Sequence, residues 1–433
     1  MALSRKVFLG LLAFALGVNT SCADGLADSV FAAIDKQNEG LKTINREIWE
    51  NPEVGYEEVY AHKILTDYLE EQGFTVTRGA YNLSTAFKAE FSNGEGRAVS
   101  FNSEYDALPG VGHACGHNLI ATVGVAAAIG VKEALENGGV KGKVVLLGTP
   151  AEEGGGGKVK LVEAGAYDGL DCSLMAHPGN SGYAAWGRTL ASWRGNVTWT
   201  GVASHAAAAP WAGRNALDGF VSAYTMAGLY RQQLQPSDRI HHVVTRGAAV
   251  ANIIPDFVES VWGVRGNLRP RRDAVLDQVI SIIEASASAT NTSVEIVQFQ
   301  DYWDQHPSFP LAETFYQHHM QYFDPSENPE TANFTVSTPE ESRRENSAAA
   351  SSDQGNVSWF VPALQVGFPV GGTAPVHNAG FRELAGTDFA HSQAVETAKI
   401  LSLTALEILR NETYAKNVWA EWRTMIDEAS VSG

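Results

Sequence analysis

Cys115 and His117 stand two residues apart in the segment His113-Ala114-Cys115-Gly116-His117-Asn118. Thiolate and imidazole are good ligands for zinc-like ions. Gly116 between them lets the backbone turn sharply, so that both side chains face one point. The segment precedes a predicted helix, and a helix start favours a thiolate. Taken alone, such a pair is more often a buried cysteine beside a surface histidine. A second segment, Thr149-Pro150-Ala151-Glu152-Glu153, runs into four glycines, Gly154 to Gly157. Two adjacent carboxylates suit a divided task, one binding metal and the other taking a proton from water. The alternative is a solvated acidic loop. His177, before Pro178, and His377, after Val376, are lone histidines, usually structural on their own. As a set, Cys115, His117, Glu153, His177 and His377 suffice to hold two metal ions with room for a water.

Other chemistries lack their residues. No G-K-[ST] follows the glycine run, and its flanks are acidic, against phosphate cradling. No G-x-S-x-G is present to supply a serine elbow, and no G-x-G-x-x-G follows the first predicted strand.

The elements expected to position these residues alternate. Helical patterns cover 29–49 and 57–72, separated by Asn51-Pro52. Strands are predicted over 98–103, 143–149 and 171–176, with helices over 119–135 and 159–164 between them. This is βαβ rhythm, hence an α/β fold with a mainly parallel sheet and helices on both faces. Glu104 and Asp106 follow the first of these strands, Glu152 and Glu153 the second, His177 the third. Sites in open α/β sheets form at the carboxyl ends of strands. From 187 the order changes to strand 192–200, helix 214–231, strands 241–246 and 258–268, helix 273–287 and strand 293–300. That is the β-α-β-β-α-β order of a ferredoxin-like insert. The larger domain resumes after it, with a polar loop over 340–352, a strand over 364–368 and a closing helix over 388–409. The expected division is 1–23 as a leader, 24–186 and 302–433 as one catalytic domain, and 187–301 as an inserted lid.

Composition narrows the setting. The chain has 433 residues and a formal net charge of −18, which argues against nucleic acid or an anionic membrane as main partner. Arg5 and Lys6, an apolar run over 7–18 and Ser21-Cys22-Ala23 form a secretory signal pattern, with cleavage expected after Ala23. The rival readings are a buried N-terminal helix or a lipidated Cys22. A secreted protein without a membrane anchor is expected after cleavage. Cys115 and Cys172 then remain, too few for a disulfide framework, although the two are free to pair. Sequons stand at Asn82, Asn196, Asn291, Asn333, Asn356 and Asn411.

Glu104-Tyr105-Asp106-Ala107-Leu108-Pro109, the His113–Asn118 segment, Ala151-Glu152-Glu153 with its glycines, and the late His377 together resemble metallopeptidase family 20. The Cys-Gly-His form marks its amidohydrolase branch. The motifs are most similar to those of Xaa-Arg or β-alanyl-lysine dipeptidase-like and aminobenzoyl-glutamate hydrolase-like proteins, with auxin-conjugate amidohydrolases, aminoacylase and carboxypeptidase G as relations. Ser204-His205-Ala206 with Pro210-Trp211, and Ser351-Ser352-Asp353 with 355–358, extend the likeness over nearly the whole chain. The resemblance implies two divalent ions (zinc, manganese or cobalt) on Cys115, His117, Glu153, His177 and His377. It implies Glu152 as general base and Asp106 as the acid that orients a metal-site group. His205 would reach the site of a neighbouring subunit in a homodimer joined through the lid and steady the oxyanion. Asn252 and Arg265 would grip the carboxylate of an N-acyl amino acid or dipeptide, with Gly371 and Gly372 as a backbone loop near it. Two departures stand out: Asn118 where the auxin-conjugate branch has Asp, and Ala379 where a proline often follows the last histidine. The rival functions are a non-catalytic binding homologue and a deacetylase or aminopeptidase on the same fold.

Overall fold

The structure, a computed structural model, describes residues 20–431 apart from 248, 346, 347 and 349. The expected signal segment lies outside the described residues over 1–19. Residues 20–23 open the first helix, Thr20–Lys36.

Among the described residues, one sheet contains eight strands: β1 (Thr75–Arg78), β2 (Phe87–Ser92), β3 (Ala98–Ser103), β4 (Lys143–Gly148), β5 (Cys172–Gly179), β6 (Gly182–Ala184), β13 (Thr335–Ser337) and β14 (Ala363–Pro369). Their order is β1-β2-β4-β3-β5-β14-β6-β13. The central four, β4, β3, β5 and β14, run parallel. β2 and β1 add antiparallel at one edge, and β6 meets β14 antiparallel at the other. This is the expected mainly parallel α/β sheet.

The apolar runs of β3 and β4 reflect burial on both faces. Val144 and Leu146 join Val99, Phe101 and Leu119 under the helices His117–Glu136 and Asp388–Arg410. Val145 and Leu147 point the other way, to Leu161, Tyr167 and Val357 beneath Gly157–Glu163 and Gln354–Ser358. Each such side chain contributes about 1.5–3 kcal/mol on burial. The helix His117–Glu136 is long and apolar enough to cross a membrane, but 89% of its apolar window is buried in the protein. Gly124 sets how closely it approaches the sheet, because a Cβ there would lie 2.1 Å from Ser103 Oγ.

The second sheet has the order β12-β7-β11-β9, all antiparallel: β7 (Ala191–Thr200), β9 (Arg239–Arg246), β11 (Phe257–Gly266) and β12 (Ser293–Tyr302). Helices Ala216–Tyr230 and Arg269–Ala289 pack on one face around Trp199, Trp262, Val279 and Ile283. The chain order is the ferredoxin-like one. A short ribbon, β8 (Ser204–His205) paired with β10 (Ile253–Ile254), branches from it.

Several elements depart from the sequence reading. The helix expected over 29–49 is two, Thr20–Lys36 and Asn38–Glu50, broken at Gln37. Apolar spacing continues through the break, with Ile34, Leu41, Ile44 and Ile48 all buried, so periodicity does not reveal it. The expected loop 340–352 begins as the helix Pro339–Glu345. Thr338 Oγ1 accepts from the Glu341 backbone N–H, and Glu341 Oε2 accepts from that of Thr338, a capping box with proline at the first helical position. β1, β2 and the last helix, Glu412–Val431, were also not predicted.

Candidate active site

The ends of four parallel strands deliver the chemistry. β3 leads into Glu104 and Asp106, β4 into Glu152 and Glu153, and β14 into the loop carrying His377. His177 lies within β5 rather than after it, opposite Gly367 of β14. Gly116, at φ +78°, makes the left-handed turn before the helix that starts at His117. That turn brings Cys115 and His117 to the edge together.

The ligand atoms converge in three overlapping sets: Cys115 with His117 and His177, Cys115 with Glu153 and His377, and Glu104 with His117 and Glu152. Within each set they lie within 4.8 Å of one another. Cys115 Sγ is 3.5 Å from His177 Nε2, and His377 Nε2 is 3.4 Å from Glu153 Oε1. His117 Nε2 is 3.4 Å from Glu104 Oε2 and 3.9 Å from Glu153 Oε1. The five expected ligands are thus brought together, and Glu104 joins them.

Neighbouring bonds fix the rings. His117 Nδ1 donates to Asp106 Oδ1 at 2.9 Å, and His177 Nδ1 donates to the Pro178 carbonyl at 2.8 Å. In the neutral ring each Nε2 then keeps its lone pair for the cluster, the usual arrangement of a ligating histidine. The second oxygen of Asp106 accepts from the Glu153 backbone N–H at 3.0 Å, so one buried carboxylate holds two ligand segments. The His377 N–H donates to the Ala114 carbonyl at 2.8 Å, tying a third segment to the Cys115 turn. Ala151 and His377 both have positive φ, +59° and +63°, a strain of about 1–3 kcal/mol each held in place by the surrounding fold.

Glu104 Oε2, His117 Nε2 and Glu153 Oε1 are buried without a hydrogen-bond partner. Such orphans cost about 1–3 kcal/mol each, more when charged. All three belong to the ligand sets, and the S, N and O donors suit borderline divalent cations. The residues present fit two divalent ions.

Burial, then the neighbouring Glu104, Asp353 and Glu153 carboxylates, holds Glu152 well above the usual carboxylate range. Burial likewise pushes the Cys115 thiol up, against the expectation that the helix start lowers it. A coordinated cation reverses that balance and leaves a thiolate. Cys115 and Cys172 are both free, so the possible disulfide is absent. Burial takes His113 down to about 3, leaving a neutral ring outside the three ligand sets.

Residues around the cluster were missed. Lys158, fully buried, places Nζ 2.5 Å from both Glu104 Oε1 and Asp353 Oδ1. Tyr302, at the end of β12, donates its hydroxyl to the Glu152 carbonyl at 2.5 Å and accepts from the Gly156 N–H at 3.0 Å. Glu58 accepts from the Ala151 N–H at 2.8 Å, and burial raises it to about 7. A lysine, Lys158, directly after the acid-rich, glycine-rich turn was the one signal available for this group.

The expected substrate residues stand apart from the cluster. His205 is exposed on the β8–β10 ribbon, its Nδ1 accepting from the Ala207 and Ala208 N–H groups at 3.2 and 3.1 Å. That leaves Nε2 as the protonated donor of the neutral ring. Asn252 is exposed beside it, its carbonyl accepting from Ala206 N–H at 2.9 Å. Arg265, on β11, donates to Ser351 Oγ at 2.7 Å. Gly371 and Gly372, at φ +79° and +77°, form the loop after β14, against Phe389 and Leu384. None of these five is bonded to a ligand residue in the structure.

Residues 100–405 match the sequence profile of peptidase family M20/M25/M40. The chain is similar to the Xaa-Arg dipeptidase of Homo sapiens, 36% identical over 413 residues, covering 91% of each chain. It is similar also to one of the subunits of the p-aminobenzoyl-glutamate hydrolase of Escherichia coli (strain K12), 28% identical, covering 91% of this chain and 94% of that one. A solved dinuclear metal-binding peptidase of the M20 family from Bacillus subtilis shares the fold, with TM-score 0.60 at 19% identity, covering 85% and 98% of the two chains. With the ligand cluster, these matches make the protein a metal-dependent hydrolase of amide bonds. The chain belongs to peptidase family M20/M25/M40.

Proposed function

We propose that the protein hydrolyses the amide bond of N-acyl amino acids, dipeptides or related conjugates that carry a free carboxylate. The observation that carries this reading is the buried Glu152 carboxyl set among overlapping Cys, His and Glu ligand sets at the carboxyl edge of the sheet. The printed names of the relatives, a dipeptidase and an aminobenzoyl-glutamate hydrolase, support the substrate class.

Cys115, His117 and His177 would hold one divalent ion, and Cys115, Glu153 and His377 the other. When bound, such ions supply Lewis acidity and lower the pKa of water toward neutrality. Glu152 takes the proton of the attacking water and returns it to the leaving amine, a role worth about 10²–10⁴-fold. Asp106 holds His117 in the tautomer that presents Nε2. Arg265 holds the substrate carboxylate with both oxygens, which a planar guanidinium does better than an ammonium. Asn252 and the Gly371-Gly372 backbone complete that end. His205 donates Nε2–H to the developing oxyanion.

His205 serves the partner subunit in a lid-joined homodimer. An exposed stripe of Leu217, Val221 and Tyr224 on the helix Ala216–Tyr230, beside the exposed Val243 and Val244 of edge strand β9, supports that assembly. The substrate class is tested by offering the protein, reconstituted with zinc, manganese or cobalt, a panel of N-acyl amino acids and dipeptides beside their C-terminal amides. Free acids should be cleaved and the matched amides hardly at all. Equal rates on acids and amides would remove the carboxylate requirement.

A further inference from the structure

The direction of the Glu152 carboxylate is set by its backbone. Among the described residues that carboxylate has no hydrogen-bond partner, so its aim follows from the turn 151–157 that carries it. Three consecutive residues of the turn are held by side chains from elsewhere in the chain. Glu58 accepts from the Ala151 N–H at 2.8 Å, the Tyr302 hydroxyl donates to the Glu152 carbonyl at 2.5 Å, and Asp106 accepts from the Glu153 N–H at 3.0 Å. Tyr302 also accepts from the Gly156 N–H at 3.0 Å. The Gly155 and Gly156 N–H groups close the turn on the Ala151 carbonyl, each at 2.9 Å. The left-handed backbone of Ala151, at φ +59°, persists only where its surroundings over-determine it.

Tyr302 differs from the other two holders in where it comes from. Glu58 and Asp106 adjoin the eight-stranded sheet, whereas Tyr302 is the last residue of β12, paired with Ser192 of β7 in the four-stranded sheet. Its ring is buried and lies against Gly156. Its neighbours are fixed on both sides. Asp301 pairs with Arg272 at 2.5 Å, and Asp304 Oδ1 accepts from the Arg269 N–H at 2.7 Å, both arginines belonging to the helix Arg269–Ala289 on the four-stranded sheet. The Trp303 N–H donates to Asn356 Oδ1 at 3.0 Å, and the Asn356 amide donates to the Asp301 carbonyl at 3.2 Å, which fastens the same segment to the helix Gln354–Ser358. The phenol therefore stands on an anchored strand end, and its hydroxyl bonds the four-stranded sheet to the turn that carries Glu152.

We propose that Tyr302 is a positioning residue for Glu152, holding the carbonyl of the base from the four-stranded sheet so that both sheets together aim its carboxylate. This rests on the reading of Glu152 as general base. A misplacement of about 1 Å at a reacting group costs on the order of a hundredfold in rate, so loss of this one hydroxyl should act on turnover and not on substrate or metal binding.

Tyr302→Phe keeps the ring and deletes the hydroxyl. Tyr183→Phe deletes another buried hydroxyl, bonded to Gln393 outside the ligand sets, and serves as comparator. With metal content verified in each protein, kcat for an N-acyl amino acid should fall about ten- to a hundredfold in Tyr302→Phe, with KM within about threefold of wild type, while Tyr183→Phe keeps both. Hydrogen exchange of the metal-loaded proteins, read by mass spectrometry, should show residues 151–157 protected in the wild type, exchanging about tenfold faster or more in Tyr302→Phe and unchanged in Tyr183→Phe. A fall in kcat of less than about tenfold, an equal fall in Tyr183→Phe, a loss confined to KM, or a turn already unprotected in the wild type would each overturn the proposal. If no substrate is cleaved but exchange still quickens in Tyr302→Phe alone, the hydrolytic reading fails and the tether between the sheets stands.

Discussion

Lys158 shows how much of the site rests on one buried side chain outside the ligand sets. Its ammonium is buried between Glu104 and Asp353, and its backbone N–H also donates to Asp353 Oδ2 at 2.8 Å. Burial pulls the ammonium down, but the two carboxylates more than reverse this and keep it charged. Held in this way, Glu104 keeps its other oxygen on the cluster side, 3.4 Å from His117. Lys158→Met should strand two buried carboxylates and cost about 3–5 kcal/mol in denaturant unfolding of the metal-free protein. A cost under about 1 kcal/mol would mean that the lysine does not neutralise them. The ligands were legible in the sequence because their types are uncommon at strand ends and recur at several of them. Lys158 was not, because Asp353 reaches it from far along the chain and no local pattern marks the pair. One departure and one sequon in the sequence also find a physical meaning. Asn118 donates to Asn45 Oδ1 at 2.6 Å and to the Ala385 carbonyl at 3.0 Å, so it packs helices and stands outside the ligand sets. Asn356 is buried, its amide accepting from Trp303 N–H and donating to the Asp301 carbonyl, which closes that sequon to a glycan.

At the scale of elements, the β8–β10 ribbon is the piece whose role is hardest to read from one subunit. It carries His205 and Asn252 in the open, with no bond to the cluster of its own chain. If the ribbon serves the partner, two inactive variants should complement. His205→Ala and Glu152→Ala proteins, unfolded and reassembled together, pair at random into half mixed dimers, each with one complete site. About a quarter of wild-type activity should return. A mixture as inactive as its parents, with subunit exchange demonstrated, would place His205 in its own subunit or outside catalysis. The strands of the parallel core were readable as unbroken apolar runs, and the insert as a change of rhythm. The short edge strand β1 was not, since Thr75–Arg78 is mostly exposed and carries little apolar signal. The helix at Pro339 was signalled by Thr338 and Glu341 but obscured by the polar composition around it. Strand order and register have no counterpart in a linear pattern.

Over the whole molecule, residues from Glu104 to His377 meet because the parallel strands end at one edge of the eight-stranded sheet. The buried carboxylates and orphaned nitrogen there make the metal-free fold pay for its own site. Bound cations should therefore raise thermal stability as well as switch on turnover, since a ligand that binds only the folded state stabilises it by mass action. One titration reads both. Protein stripped by a chelator, with metal content verified by elemental analysis, is titrated with a divalent ion while hydrolysis of an N-acyl amino acid and the melting temperature are followed. Hydrolysis should be absent at the start and should rise with the melting temperature until two ions are bound per chain. Full hydrolysis by the verified metal-free protein would contradict metal-dependent amide cleavage at this site.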